Sequence, residues 1–129
     1  MQPIGSFKLR GAANAILAAP RAELAAGVVT TSTGNMAQGV AWMARVLGVP
    51  ATIVVPDNAS TSKLAAVERM GGAIVRVPWE QWWMVFTVIR PKFWSKTGPC
   101  LVVGALPRIL RCARRWRISV ARSRLAACG

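Results

Sequence analysis

A chain of 129 residues with 17 lysines and arginines, four aspartates and glutamates, no histidine and three cysteines has room for one core, not for a large two-domain enzyme. Cys100, Cys112 and Cys128 have no metal-ligand spacing and no histidine beside them, which excludes a zinc site and a paired disulfide framework. The N-terminus has no apolar core of signal-peptide length, and the apolar run from Trp82 to Ile89 is far below the roughly 20 residues that cross a bilayer, so the expected setting is cytoplasmic with no membrane partner.

In chain order, the first stretch of interest is Gly5-Ser6-Phe7-Lys8-Leu9-Arg10-Gly11. Lys8 stands between an aromatic residue and a leucine at the entry to an alanine-rich run, and is poorly placed to stay fully hydrated. A lysine held partly out of water is the kind that reacts with carbonyl compounds as a free amine; a solvated helix-start lysine is the alternative. From Phe7 to Ala19 the residues are good helix formers, with Ala12, Ala13 and Ala15 permitting close packing. Pro20 stops this helix. Ala22 to Ala26 allow one more short turn, and Gly27 releases the chain into Val28-Val29-Thr30-Thr31, which reads as a buried strand.

Ser32-Thr33-Gly34-Asn35 is the turn that follows. Met36, Val40, Met43 and Leu47 then recur at helical spacing and predict an inward stripe, with Gln38, Trp42 and Arg45 on other faces. Gly48 and Pro50 end that helix. Such a turn exposes backbone N–H groups at a helix N-terminus, a physical site for an anion, although Ser32 and Asn35 could equally be ordinary caps. Ala51 to Val55 reads as a second strand. Asp57-Asn58-Ala59-Ser60 carries turn and cap chemistry into a helix from Thr61 to Met70, whose Leu64, Val67 and Met70 should face inward. Gly71-Gly72 ends it, and Ala73 to Val77 is a third strand. The alternation β-α-β-α-β with short connections predicts a right-handed parallel α/β unit.

After Pro78-Trp79-Glu80-Gln81-Trp82-Trp83 the alternation stops. Residues 84–129 hold ten basic groups, no acid, and prolines at 91, 99 and 107, so most of the net charge of +13 lies here. Ile109, Ala113, Trp116 and Val120 keep a helical spacing among arginines, which would suit a basic amphipathic helix on an anionic surface. The other reading is a tail not descended from the preceding unit, as a shifted reading frame would produce, and less ordered than residues 28–77.

Ser-Phe-Lys-Leu-Arg-Gly-Ala at 6–12 and Ser-Thr-Gly-Asn-Met-Ala-Gln-Gly at 32–39 closely resemble fold-type-II pyridoxal-phosphate enzymes, the threonine/serine dehydratase and serine racemase branch. The resemblance runs on through Val54-Val55-Pro56, Lys63 and Gly71-Gly72-Ala73 to about Trp83. It implies the tryptophan-synthase-β-like fold, incomplete here. Residues 1–27 would be the cofactor-lysine segment, 28–83 the small α/β domain and 84–129 the basic tail.

The resemblance also implies pyridoxal 5′-phosphate as cofactor, with Lys8 as Schiff-base lysine and base at the substrate Cα. Phe7 would lie beside the ring and Asn35 at its 3′ oxygen, while Ser32, Thr33, Met36 and Gln38 would hold the substrate carboxylate; no metal is implied. The expected activity is an ammonia-lyase converting L-threonine or L-serine into a 2-oxo acid and ammonia, in a parent enzyme that is a homo-oligomer. Racemisation is the alternative, as is an inactive fragment whose basic tail binds anions; nucleic acid is not an expected partner. Position 36 is histidine in most members and methionine here, so only its backbone N–H could serve. The family's glycine-rich phosphate loop has no counterpart in the chain, because Gly71-Gly72 falls at a helix C-terminus, where the dipole disfavours phosphate. The expectation is therefore a truncated member of this family.

Overall fold

The structure is a computed structural model that describes residues 3–83 and the strand at 101–103. Its elements are α1 (Lys8–Leu17), α2 (Arg21–Leu24), β1 (Val28–Thr31), α3 (Asn35–Leu47), β2 (Ala51–Pro56), α4 (Thr61–Arg69), β3 (Ala73–Val77) and β4 (Leu101–Val103). Residues 79–83 are also helical.

The β-branched runs form one sheet in the order β3-β2-β1-β4. β1 and β2 pair in parallel, Val28 opposite Ala51 and Thr31 opposite Val54, and β3 extends the parallel ladder from Ala73 opposite Thr52 to Val77 opposite Pro56. The predicted parallel α/β unit is therefore present. Its core gathers Val28, Ile53 and Val55 from the sheet with Leu9, Ala12 and Ile16 of α1, Val40 of α3 and Val67 of α4.

β4 has no counterpart in the sequence-based expectation. Leu101–Val103 runs antiparallel along the outer edge of β1, with Val28 opposite Val103 and Thr30 opposite Leu101. An edge strand leaves a row of unpaired N–H and C=O groups, and a short apolar, β-branched run is able to pair with it. The other residues of the basic tail, and the helical spacing from Ile109 to Val120, lie outside the described residues.

The buried face of α3 differs from the stripe predicted for it. Met36, Val40 and Met43 are buried as expected, together with Ala37, Ala41 and Ala44, whereas Leu47 is 38% exposed and Trp42 packs against the core. Alanines that let helices approach closely escape a pattern search that counts only large apolar residues. Met70 is half-buried against the core, and Leu64 and Val67 are buried. Ser60, expected to cap α4, makes no side-chain cap bond; its hydroxyl instead pairs with that of Ser62 at 2.9 Å.

Glycine acts at two ends in different ways. Gly48 closes α3 at φ +67° with nothing within 4 Å of an added Cβ, while Gly27 has φ +89° and an added Cβ would lie 2.8 Å from the Pro50 carbonyl oxygen. That same oxygen accepts the N–H of Val28 at 2.8 Å, so it cannot retreat without loosening the start of β1. Gly27→Ala is expected to cost about 1–3 kcal/mol and Gly48→Ala only about 1 kcal/mol. Urea unfolding of the two variants measures the difference; equal losses would show that the Pro50 contact yields freely.

Candidate active site

The first turn of α1 is built by the residues before Lys8. Gly5 takes φ +62°, and Ser6, almost fully buried, accepts the Lys8 N–H on its Oγ at 3.3 Å. The carbonyls of Ser6 and Phe7 accept the N–H groups of Leu9 (3.4 Å) and Arg10 (3.0 Å). Leu9 is thereby turned into the core, and Lys8 is left half-buried at the helix start. Its Nζ lies 5.1 Å from the centroid of the Phe7 ring, and Phe7 is 71% exposed. An ammonium over an aromatic face is a favourable contact.

The second motif lies at the end of β1. Thr31 closes the strand, Ser32 turns back so that its Oγ accepts the Gly34 N–H at 3.3 Å, and Gly34 is the extended residue before α3, with no side chain capping the helix. The Gln38 N–H is the first to be taken up inside the helix, by the Gly34 carbonyl at 3.3 Å. The N–H groups of Asn35, Met36 and Ala37 belong to the first turn, where a helix supplies no acceptor of its own. They and the helix dipole make a setting suited to an anion.

The sequence-predicted residues divide accordingly. Asn35 is exposed at the first position of α3, and Ser32, Thr33 and Gln38 are half-buried around it. The Met36 side chain is 7% exposed and packs in the core, so this residue presents only its backbone to the turn. Gln38 has its backbone N–H committed and offers only its side chain.

The two motifs meet at the α1–α3 contact. Gly39, one turn beyond Asn35, lies so close to α1 that an added Cβ would stand 3.3 Å from Leu9 Cα, and Leu9 adjoins Lys8. Residues four apart share a helix face, so Asn35 lies one turn from the contact on α3, and Lys8 is the residue next to Leu9 on α1. Sequence reasoning overlooked Gly39, although it is the last residue of the second motif. It also overlooked Thr31, 1% exposed, whose hydroxyl has no hydrogen-bond partner; a β-branched residue in a β-branched run gave no signal. Among the described residues no group of three or more Cys, Asp or Glu could hold a metal ion, and no helix is long and apolar enough to cross a membrane.

A family model described as pyridoxal-phosphate dependent enzyme matches residues 1–85. The chain belongs to that family. Among curated proteins it is 49% identical over 75 residues to an L-threo-3-hydroxyaspartate ammonia-lyase of a Pseudomonas species, a match covering 58% of this chain and 24% of that relative. It is 45% identical over 75 residues to the L-threonine ammonia-lyase of Geobacter sulfurreducens, covering 58% and 19%. Over 74 residues it is 45% identical to the serine racemase of Schizosaccharomyces pombe, covering 57% and 23%. The processed form of threonine deaminase isoform 2 from Solanum lycopersicum superposes with a TM-score of 0.58 at 44% identity, over 60% of this chain and 22% of that one. The chain thus spans about a quarter or less of the length of these relatives.

The family's cofactor is pyridoxal phosphate, and the residues present fit one side of it. A half-buried lysine amine beside an exposed aromatic ring suits the aldehyde and ring, and the exposed amide of Asn35 suits the ring oxygen. For the phosphate, Gly71-Gly72 is no substitute: Gly71 donates to the Glu68 carbonyl at 2.9 Å and Gly72 to that of Val67 at 3.1 Å, which commits both to ending α4. The described residues therefore fit the aldehyde and ring-oxygen side of the cofactor.

Proposed function

We propose that the chain carries the cofactor-lysine segment (1–27) and the small α/β domain (28–83) of an ammonia-lyase that converts L-threonine or L-serine into a 2-oxo acid and ammonia. The observation that supports this reading is the contact of the two motifs at Leu9 and Gly39, with Lys8 and Asn35 each at the first position of its helix. When bound, the cofactor supplies the electron sink for a carbanion at the substrate Cα. Lys8 would hold the cofactor's aldehyde carbon through Nζ and, once the substrate amine had taken its place there, would act as base toward the Cα proton. Phe7 flanks the ring. The Asn35 amide orients the cofactor at its ring oxygen, while Ser32, Thr33, the Met36 N–H and the Gln38 side chain bind the substrate carboxylate.

Racemisation is the second reading, favoured by the identity to serine racemases, which is as high as that to the threonine ammonia-lyases. The same Nζ would remove the Cα proton in both reactions. In this proposal the whole enzyme is a cytoplasmic homo-oligomer. Residues 84–129 are taken as foreign to the family unit, a reading supported by the end of the family match at residue 85 and by the lack of any acid beyond it.

The test of the reaction is a chimera in which residues 1–83 replace their counterparts in the Geobacter sulfurreducens L-threonine ammonia-lyase. Release of 2-oxo acid from L-threonine or L-serine is expected. Formation of D-serine without 2-oxo acid would favour the racemase, and a folded chimera that binds the cofactor but yields neither product would overturn the proposal.

A further inference from the structure

Gly39 lies in the interior of α3, where glycine is unfavourable relative to alanine. Its φ does not call for glycine, since the positive-φ glycines are Gly5, Gly27, Gly48 and Gly71. Close approach explains it instead. An added Cβ would stand 3.3 Å from Leu9 Cα, 3.4 Å from Ala12 Cβ and 3.5 Å from Ile4 Cδ1. The nearest of these is a backbone atom of α1, which cannot swing aside as a side chain would, and Ala12 is fully buried.

We propose that Gly39 is a positioning residue, fixing the separation of α1 from α3 and thereby the reach of Lys8 Nζ to the first turn of α3. The inference rests on the assignment of Lys8 and Asn35 to one site. Interhelical distance is set by the side chains at the contact. A side chain at 39 displaces Leu9, and Lys8 moves with it because the two share one turn of backbone. A displacement of about 1 Å at a reacting group can cost on the order of 10²-fold. Asn35 lies on the same α3 face one turn earlier, so the displacement falls on the relation between the two residues rather than on either alone.

The test is carried out on the whole chain with pyridoxal phosphate itself. Water leaves as a lysine nitrogen joins the aldehyde carbon, borohydride then supplies hydride to fix the C–N bond, and peptide mass spectrometry reads labelling at Lys8 against Lys63, which is exposed on α4. In the unaltered chain Lys8 is expected to be labelled preferentially. Gly39→Val should lower the Lys8-to-Lys63 ratio by about 10- to 100-fold, and Gly39→Ala by less, at a temperature where circular dichroism shows the variant folded. A role in stability alone would lower the melting temperature and leave the ratio in the folded protein unchanged; that result overturns the proposal. Where Gly39→Val does not fold, Gly39→Ala decides in the same way, a lowered ratio supporting the proposal and an unchanged one overturning it. Absence of preference for Lys8 in the unaltered chain overturns the site assignment itself, and is seen without any Gly39 variant.

Discussion

Lys8→Ala is expected to abolish preferential fixation of pyridoxal phosphate on the chain. Of the two lysines among the described residues, Lys63 is exposed on α4, whereas Lys8 is half-buried at the start of α1, next in sequence to the Leu9 that packs on Gly39 of α3. In the proposed site, with the aldehyde held by Asn35 and flanked by Phe7, Lys8 is the one of these two described lysines that would meet it. In the chimeric enzyme the same substitution removes both the attachment and the proposed base at Cα. The base alone contributes about 10²–10⁴-fold, so 2-oxo acid release should fall by at least that factor. The measurement is borohydride fixation on the chain and product release on the chimera, each beside a fold control. Survival of both in Lys8→Ala would take away the basis of the functional reading. The substitution is not expected to unfold the chain, because Leu9, Ala12 and Ile16 rather than Lys8 anchor α1 in the core.

The largest stability effect is expected from Ile53→Ala. Ile53 is fully buried at the centre of the parallel ladder, opposite Thr30 on one side and Ile74 on the other. Its Cδ1 is also within 3.3 Å of where a Cβ on Gly72 would stand. Strand and helix termini therefore crowd around it, and neither can collapse into the space left by a smaller residue. Deleting a buried isoleucine to alanine costs about 2–5 kcal/mol, out of a typical domain total of about 5–15 kcal/mol. Chemical denaturation should show this loss, with cofactor fixation at Lys8 falling in proportion to the unfolded fraction. A loss below 1 kcal/mol would mean that the sheet is not the centre of stability.

Much of this architecture was legible because short-range rules act locally. Val28 to Thr31, Ala51 to Val55 and Ala73 to Val77 are β-branched runs between glycine, proline and polar turns, and each became a strand of the parallel sheet. Gly48 ended α3 in the left-handed conformation, as a glycine after an apolar stripe predicts. Lys8 and Asn35 each landed at the first position of a helix because the preceding turn residues leave no choice of helix start. Their identities, order and spacing were enough to suggest the family, with no reference to packing.

Long-range pairing decided the rest. That α1 and α3 approach at Leu9 and Gly39 depends on three segments fitting together. No window of sequence reports it, since a glycine in a helix reads locally only as a penalty. Leu47 was expected in the core and is exposed, and Ala41 and Ala44 took its place, because the neighbouring helices leave room for small residues on that face. β4 joined an edge that lies 71 to 75 residues earlier in the chain, a pairing that depends on which edge was left open once β2 and β3 had stacked on the other side of β1. The sequence determined by itself the elements and the residue types able to do chemistry, because turns, caps and periodicity are properties of neighbours. Only the tertiary structure decided how closely the two motifs approach, because the separation of two helices is fixed by the atoms that touch between them.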